Sequence, residues 1–342
     1  KRRTKMKPQG ISKTITMGDG RTITIETGVL AKQADGAVTV RLGDTILLAT
    51  IVSTKEAREG IDFLPLTVEY REKFSAAGRF PGGFFKREAR MSDHETLTCR
   101  LVDRAIRPLF PEDFHGDTQV VISMMSSDKK NPGDSLACLA ASACIAVSDV
   151  PFDGPVSEVR VARVDGKFII NPMVADIERA DIEMVVAGTA SDIMMVEGEM
   201  KEVQEADMIE AIRLAHEAIK DQCRVIKELG EAVVKSHVKR TYVHENANAD
   251  LEKKIMDFCY QKYYDVAMEA SAKEVRADKF KAIKEECMAT LSEEERTDSV
   301  MLARYFKKAM KKGVRNVVLD HGKRLDGRKT DQIRPIWGEV DV

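Results

Sequence analysis

The stretch Asp134 to Ser148 is apolar or small around nearly its whole circumference, and a helix there has no polar side to show to water. Such a helix must lie between layers, and Ala140, Ala141 and Ala143 let a sheet come close to it. The layers are legible on both sides of it. Thr22 to Glu26 alternates, with Ile23 and Ile25 on one side, and Ala37 to Leu42 alternates likewise. Thr45 to Ser53 is nearly continuous in Ile, Leu and Val, which predicts a strand covered on both faces. Only Gly43-Asp44 separates these last two runs, so they form a tight hairpin. Phe63 to Val68, Gln119 to Met125, Val156 to Val164, Lys167 to Ile170, Ile182 to Ala187 and Ile193 to Val196 complete the strands. Asp165-Gly166 predicts a second hairpin turn, and Glu197-Gly198 is expected to end the last strand.

Two helical regions flank this pattern. Ser92 and Glu95 form a Ser-x-x-Glu capping box that opens a helix stopped at Pro108. From Val203 to Gly230 the apolar residues take helical spacing, and residues 248–312, free of Pro, predict several helices broken near Leu291 to Thr297. An α+β chain follows: an α/β domain over 1–238, an all-α domain over 239–318, and a short remainder over 319–342. Only 15 residues follow Gly327, too few for another domain, so the chain is expected to be cut short. At 43% hydrophobic residues it is not a disordered chain, and no apolar run approaches the ~20 residues of a membrane span. No signal peptide is visible behind the basic start, although the chain does not open on Met. The six cysteines lie far apart without a Cys-x-x-Cys pair, as expected of reduced thiols in a cytosolic protein.

A net charge of −2 hides a local imbalance. Arg71 to Arg107 holds nine Lys or Arg against five Asp or Glu, whereas Asp176 to Glu210 holds eleven acidic residues against two basic ones. Within the basic segment, Phe80-Pro81-Gly82-Gly83-Phe84-Phe85-Lys86-Arg87-Glu88-Ala89-Arg90 cannot be helix interior or regular strand. Rings beside cations on a loop suit single-stranded nucleic acid, bases stacking on the rings while Lys and Arg neutralise phosphates. The alternative is two buried rings anchoring the loop. On the following helix Arg100, Arg104 and Arg107 fall within an arc of about 60°. They face either Asp93 and Asp103 or a phosphate backbone.

No Walker A loop, His-Glu-x-x-His, Gly-x-Ser-x-Gly or dinucleotide fingerprint is present. Asp134 is expected to cap its helix, a poor arrangement for binding phosphate there. Asp176, Asp181 and Glu183 are carboxylates that metal chemistry would use, but no basic cluster accompanies them.

Several long motifs together resemble the bacterial polynucleotide phosphorylase (polyribonucleotide nucleotidyltransferase) family. They are Phe63-Leu64-Pro65-Leu66-Thr67-Val68-Glu69-Tyr70, Ala76-Ala77-Gly78-Arg79-Phe80-Pro81-Gly82, Phe84-Phe85-Lys86-Arg87-Glu88 and Arg100-Leu101-Val102-Asp103-Arg104-Ala105-Ile106-Arg107-Pro108-Leu109-Phe110-Pro111. The resemblance runs over essentially the whole chain. It implies a ribonuclease PH-like (ribosomal protein S5 domain 2-like) α/β domain, then the family's helical domain. Gly322 to Val342, with Arg324-Leu325-Asp326-Gly327-Arg328 and Ile333-Arg334-Pro335-Ile336, would be the entrance to a second ribonuclease PH-like domain.

The activity implied is 3′-to-5′ phosphorolysis of RNA to nucleoside diphosphates, with inorganic phosphate as co-substrate and Mg2+ as cofactor. Catalytic and metal-binding residues would lie in the missing second domain, so none is assigned in this chain. The resemblance places Phe84, Phe85, Lys86 and Arg87 at the constriction of a trimeric ring, gripping single-stranded RNA. Lys86 departs from the family's usual arginine, keeping the charge but not the planar fork. Arg90, Arg100, Arg104 and Arg107 match family arginines near that channel. A cytoplasmic homotrimer with partners in RNA degradation, and no membrane association, is the resulting expectation. Two competing readings are a stand-alone, non-catalytic RNA-binding scaffold and a basic stripe that serves only trimer contacts.

Overall fold

Short turns and one glycine pressed against a helix organise the first half of the chain. The computed structural model describes residues 8–58, 61–84, 86–88, 90–242 and 247–340, so Phe85 lies outside the described residues. The chain divides into two units, Lys1–His244 and Glu245–Val342.

The first unit opens with β1 (Ile11–Thr16), β2 (Thr22–Thr27), β3 (Gly36–Leu42), β4 (Thr45–Ser53) and β5 (Leu66–Glu72), then helix α1 (Asp93–Ile106) and β6 (Thr118–Ser126). These strands make one sheet in the order β1-β2-β3-β4-β6-β5. Its pairs are antiparallel except β5, which runs parallel to β6 at the edge. The β3–β4 hairpin turns at Gly43-Asp44 as expected, with Leu42 paired to Thr45 and Gly43 at φ 61. The strand expected over Phe63 to Val68 starts later, at Leu66, and runs on to Glu72.

Helix α2 (Ala137–Ala146) follows a 3-10 turn at Asp134–Leu136 and is buried along almost its whole length. It lies against β3, β4 and β6 on one side and against β7 (Ser157–Val164) of a second sheet on the other. Close approach needs a missing side chain: a Cβ on Gly36 would stand 2.0 Å from the carbonyl oxygen of Cys144. The second sheet adds β8 (Lys167–Ile170), β9 (Ile182–Gly188) and β10 (Ile193–Met200), in the antiparallel order β10-β9-β7-β8. Helix α3 (Val174–Ile177) links β8 to β9. Asp165 and Gly166 both take positive φ, 51 and 76, as a two-residue turn of this hand requires.

A second boundary also differs from the sequence reading. β10 does not end at Glu197-Gly198 but continues to Met200, because the glycine serves close packing: a Cβ on Gly198 would stand 2.4 Å from the Glu183 carbonyl oxygen. Helix α4 (Glu205–Glu231) then buries Ala211, Ala215, Ile219 and Cys223 against β7 and β9.

The second unit holds α5 (Ala249–Met268), α6 (Lys273–Thr290) and α7 (Ser299–His321). Leu251, Ile255, Cys259 and Tyr263 of α5 pack with Ile283 and Cys287 of α6 and Leu302, Tyr305 and Phe306 of α7. Asn248 and Asp298 cap α5 and α7 by accepting from the amides of Leu251 and Met301. The α6–α7 break falls at the expected place, a 3-10 turn over Glu294–Arg296. All six cysteines are buried and free, which suits small core residues. Among the described residues no helix is long and apolar enough to cross a membrane.

The Gly36 contact is testable. Gly36→Ala forces β3 and α2 apart and lowers stability to urea by about 2 kcal/mol or more. Gly82→Ala, whose added Cβ meets no atom of the described residues within 4 Å, leaves the urea midpoint unchanged.

Candidate nucleic-acid interface

An edge strand presents unpaired backbone groups, and β5 has a neighbour on one side only. Helix α1 supplies partners for the other side. The Tyr70 amide donates to Cys99 Sγ at 3.0 Å and the Glu72 amide to Glu95 Oε1 at 2.9 Å. Arg107 donates to the Leu66 carbonyl and, just before the strand, to the Leu64 carbonyl, each at 3.1 Å. Glu95 also completes the capping box: its Oε2 accepts from the Ser92 amide at 2.7 Å while Ser92 Oγ accepts from the Glu95 amide at 3.2 Å. Burial pushes the Glu95 carboxyl up, but the amides of Ser92 and Glu72 outweigh it and hold the group below its usual range.

With Thr98, Cys99, Val102, Ala105 and Ile106 turned inward, the arginines of α1 face outward. Their situations differ. Arg107 is fully engaged, since besides its two carbonyls it grips Asp103 through two bonds, Nε to Oδ2 at 2.9 Å and Nη2 to Oδ1 at 2.6 Å. Arg104 reaches Glu197 on β10 at 2.7 Å. Arg100 is exposed and has no ion-pair or hydrogen-bond partner among the described residues. It lines an open groove of about 660 Å³ with Leu66, Thr67, Val68 and Asp103.

The loop that precedes α1 leaves a 3-10 turn, Phe74–Ala77, through Gly78 at φ 68. Glu88 Oε1 accepts from the Phe74 amide at 3.1 Å and ties the loop back to its start. At the tip a Cβ added to Gly82 or Gly83 would meet no atom of the described residues within 4 Å, and Lys86, at φ 50, closes a turn by donating its amide to the Gly83 carbonyl at 3.0 Å. Phe84 is 94% exposed and Phe80 81%. Lys86, Arg87 and Arg90 are exposed without ion-pair partners among the described residues. Phe85, the other ring of the pair, is outside the described residues. Phe80 was not singled out by the sequence reading, although its place beside Pro81-Gly82 marks it as a loop residue.

A second cavity, about 380 Å³, lies between α1, β7, β9 and β10 and holds a polar network. Asp134 does not cap α2. Gly133 takes the cap position of the 3-10 turn, and the Asp134 carboxylate accepts from the Ser135 amide at 2.8 Å and pairs with Arg160 of β7. Arg160 also pairs with Glu183 of β9. His94 Nε2 stands 3.4 Å from Glu72 Oε1 and 3.7 Å from Asp134 Oδ2. The Glu72 carboxylate, accepting from the imidazole, raises the His94 pKa, and the same contact lowers that of Glu72. Glu158 is buried with no partner for Oε2 among the described residues, and burial pushes its carboxyl up to about 8. The three carboxylates considered for a metal do not converge: Asp181 is held by Arg163 at 2.8 Å, Glu183 by Arg160, and Asp176 Oδ2 accepts from the Met173 amide.

Comparison with known proteins places these features in context. Family models match residues 19–151 (3′ exoribonuclease family, domain 1), 154–218 (3′ exoribonuclease family, domain 2) and 250–329 (polyribonucleotide nucleotidyltransferase, RNA binding domain). The polyribonucleotide nucleotidyltransferase of Parabacteroides distasonis is 59% identical over 333 residues, 97% of this chain and 44% of that protein. Those of Porphyromonas gingivalis and Cytophaga hutchinsonii are 57% and 55% identical over 97% and 96% of this chain, and 44% and 46% of their own lengths. The chain thus spans a little under half the length of these relatives. A chain of the Archaeoglobus fulgidus exosome with RNA bound to the active site shares 16% identity, at a TM-score of 0.49 over 62% of this chain and 91% of that one.

Two measurements check the electrostatic picture. Arg107→Ala releases the edge strand and lowers the thermal midpoint by several degrees, whereas Arg100→Ala leaves it within a degree or so. A carboxyl with a raised folded pKa costs stability as pH climbs from its ordinary 4.5 to about 8, and the cost is constant above that. Glu158→Gln therefore stabilises the fold at pH 8 by roughly 4 kcal/mol, a gain that shrinks toward zero as pH falls to the ordinary carboxyl pKa.

Proposed function

This chain belongs to the 3′ exoribonuclease family and corresponds to the N-terminal portion of polyribonucleotide nucleotidyltransferases, and from that premise we propose that it holds single-stranded RNA for phosphorolysis completed elsewhere in the full-length enzyme. In that reaction an oxygen of inorganic phosphate attacks the phosphorus of the 3′-terminal diester. The bond from phosphorus to the neighbouring 3′ oxygen breaks, a nucleoside diphosphate leaves, and the shortened RNA keeps a 3′ hydroxyl. This chain contributes binding and orientation. Phe84 and Phe85 offer stacking surfaces, Lys86, Arg87 and Arg90 neutralise phosphates, and Arg100 extends the cationic line along the groove beside β5. Arg104 joins that line by exchanging Glu197 for a phosphate, while Arg107 positions α1 as a tether.

The observation that carries this reading is the loop tip. Two phenylalanines, Phe80 and Phe84, stand in solvent beside cations that have no carboxylate partners among the described residues. A protein that used these groups only for its own fold would bury the rings and pair the charges. The start of α2, where a phosphate would otherwise bind, is taken by the chain's own Asp134 and Arg160. That supports leaving catalysis to the remainder of the enzyme. A stand-alone scaffold is not favoured, because relatives of this similarity bear the enzyme's name.

The family also implies Mg2+. Among the described residues no group of three or more His, Cys, Asp or Glu side chains is placed to hold a metal, and the carboxylates around Arg160 are paired already. The described residues do not fit that ion. The wider picture is a cytoplasmic homotrimer with RNA-degradation partners. The segment 319–342 opens the second ribonuclease PH-like domain, and its exposed Ile333, Ile336 and Trp337 are the apolar residues such a domain would cover.

Purified chain incubated with poly(A) and phosphate releases no nucleoside diphosphate yet retards single-stranded RNA in a salt-sensitive way. Lys86→Gln with Arg87→Gln lowers the slope of log affinity against log salt by about 1. Vigorous diphosphate release by the chain alone, or RNA binding indifferent to these two charges, rejects the proposal.

A further inference from the structure

Strand alternation gives the two faces of the second sheet different characters. Val159 and Val161 of β7, with Met184 and Val186 of β9, pack under α4. The intervening residues line the cavity shared with α1: Glu158 and Arg160 of β7, Glu183 and Val185 of β9, and Glu197 and Glu199 of β10. With Asp134 the wall holds five carboxylates, against Arg160 and His94 as its cations.

Pairing within the wall leaves two of these carboxylates over. Asp134 and Glu183 are held by Arg160, and Glu197 by Arg104. Glu199 is exposed, and its carboxylate has no ion-pair or hydrogen-bond partner among the described residues. It also stands directly across the ladder from Glu183, and like charges opposed in an antiparallel pair are destabilising. Glu158 is more constrained. It is only 3% exposed, yet its Oε2 has no partner among the described residues. Burial and the Asp134 charge push this carboxyl up, with Arg160 pulling the other way. A carboxylate so deeply buried is ordinarily paired.

The arrangement of the unpaired groups selects an occupant. Five carboxylates repel an anion. A compact metal ion needs ligands that converge, and among the described residues no three His, Cys, Asp or Glu side chains are placed to hold one. Glu158 and Glu199 lie instead two strands apart and four residues offset in register, on the order of 16 Å between α-carbons. Leu97, Leu101 and Val185 add apolar surface to the same wall. Separated positive charges joined by an apolar stem match both features, and a primary ammonium brings three donors to each carboxylate.

We propose that this cavity binds a protonated aliphatic polyamine, one ammonium end donating to Glu158, the other to Glu199, and the methylene stem lying along the apolar wall. The site goes beyond the RNA grip and stands whether or not the loop and Arg100 hold RNA. An ammonium beside Glu158 favours its ionised form, so binding drives off the proton that the carboxyl keeps at neutral pH.

The test is calorimetric titration of spermidine into the 342-residue chain, freed of nucleic acid, at neutral pH. Spermidine saturates the chain at a single site. Glu158→Gln and Glu199→Gln each weaken binding about tenfold, the loss of one charge-assisted contact, while Glu217→Gln, exposed on α4, leaves it unchanged. Mg2+, a compact charge, and n-butylamine, a single-ended one, bind at least about tenfold more weakly than spermidine. Titration in buffers of different ionisation heat shows about one proton released per spermidine, a release that Glu158→Gln abolishes. The Glu158→Gln chain unfolds in urea no earlier than the parent, so its loss of binding reports the contact and not the fold. Absence of binding by the parent, unchanged affinity in either cavity variant or an equal loss in Glu217→Gln overturns the proposal. So does Mg2+ or n-butylamine binding as tightly as spermidine, or binding without proton release.

Discussion

The open edge of β5 is the constraint on which the candidate interface depends. A parallel edge strand with bare amides and carbonyls invites another chain, and here α1 occupies that edge with side chains from three positions. Glu95, Cys99 and Arg107 meet Glu72, Tyr70, Leu66 and Leu64. Those spacings, four and eight residues, put all three on one side of the helix. Once that side is pinned, the remaining faces have no freedom. Val102, Ala105 and Ile106 go into the core, and Arg100 must stand beside the groove.

The same geometry divides the labour among arginines that look equivalent. Arg107 finds Asp103 one turn earlier and two strand-edge carbonyls, so its guanidinium is spent on the fold. Arg104 meets Glu197 from the second sheet, a surface pair of the kind worth about 0–1 kcal/mol, weak enough to be exchanged for phosphate. Arg100 meets no carboxylate among the described residues. Around Asp134 the balance is reversed. Arg160 is neutralised by two carboxylates, and an anion arriving there would have to displace them.

Much of this was legible in the chain. The Ser92–Glu95 capping box, the Gly43-Asp44 and Asp165-Gly166 turns and the buried Ala-rich helix are local patterns, and local patterns survive into the structure. The family resemblance was legible too, because its motifs are long and contiguous. What could not be read depends on residues far apart in sequence. Nothing near Arg104 announces Glu197, and nothing near Asp134 announces Arg160. Gly198 looked like a strand end, yet it is the place where β10 passes close to the Glu183 carbonyl. The backbone carbonyls that hold Arg107 leave no trace in residue identity at all.

The most direct test of this picture is photocrosslinking of the chain to single-stranded RNA carrying 4-thiouridine, with the attached peptides identified by mass spectrometry. The account predicts adducts on the loop bearing Phe80 and Phe84 and on the α1 peptide bearing Arg100, suppressed as salt is raised. Adducts absent from both peptides, while RNA is demonstrably bound, would contradict it.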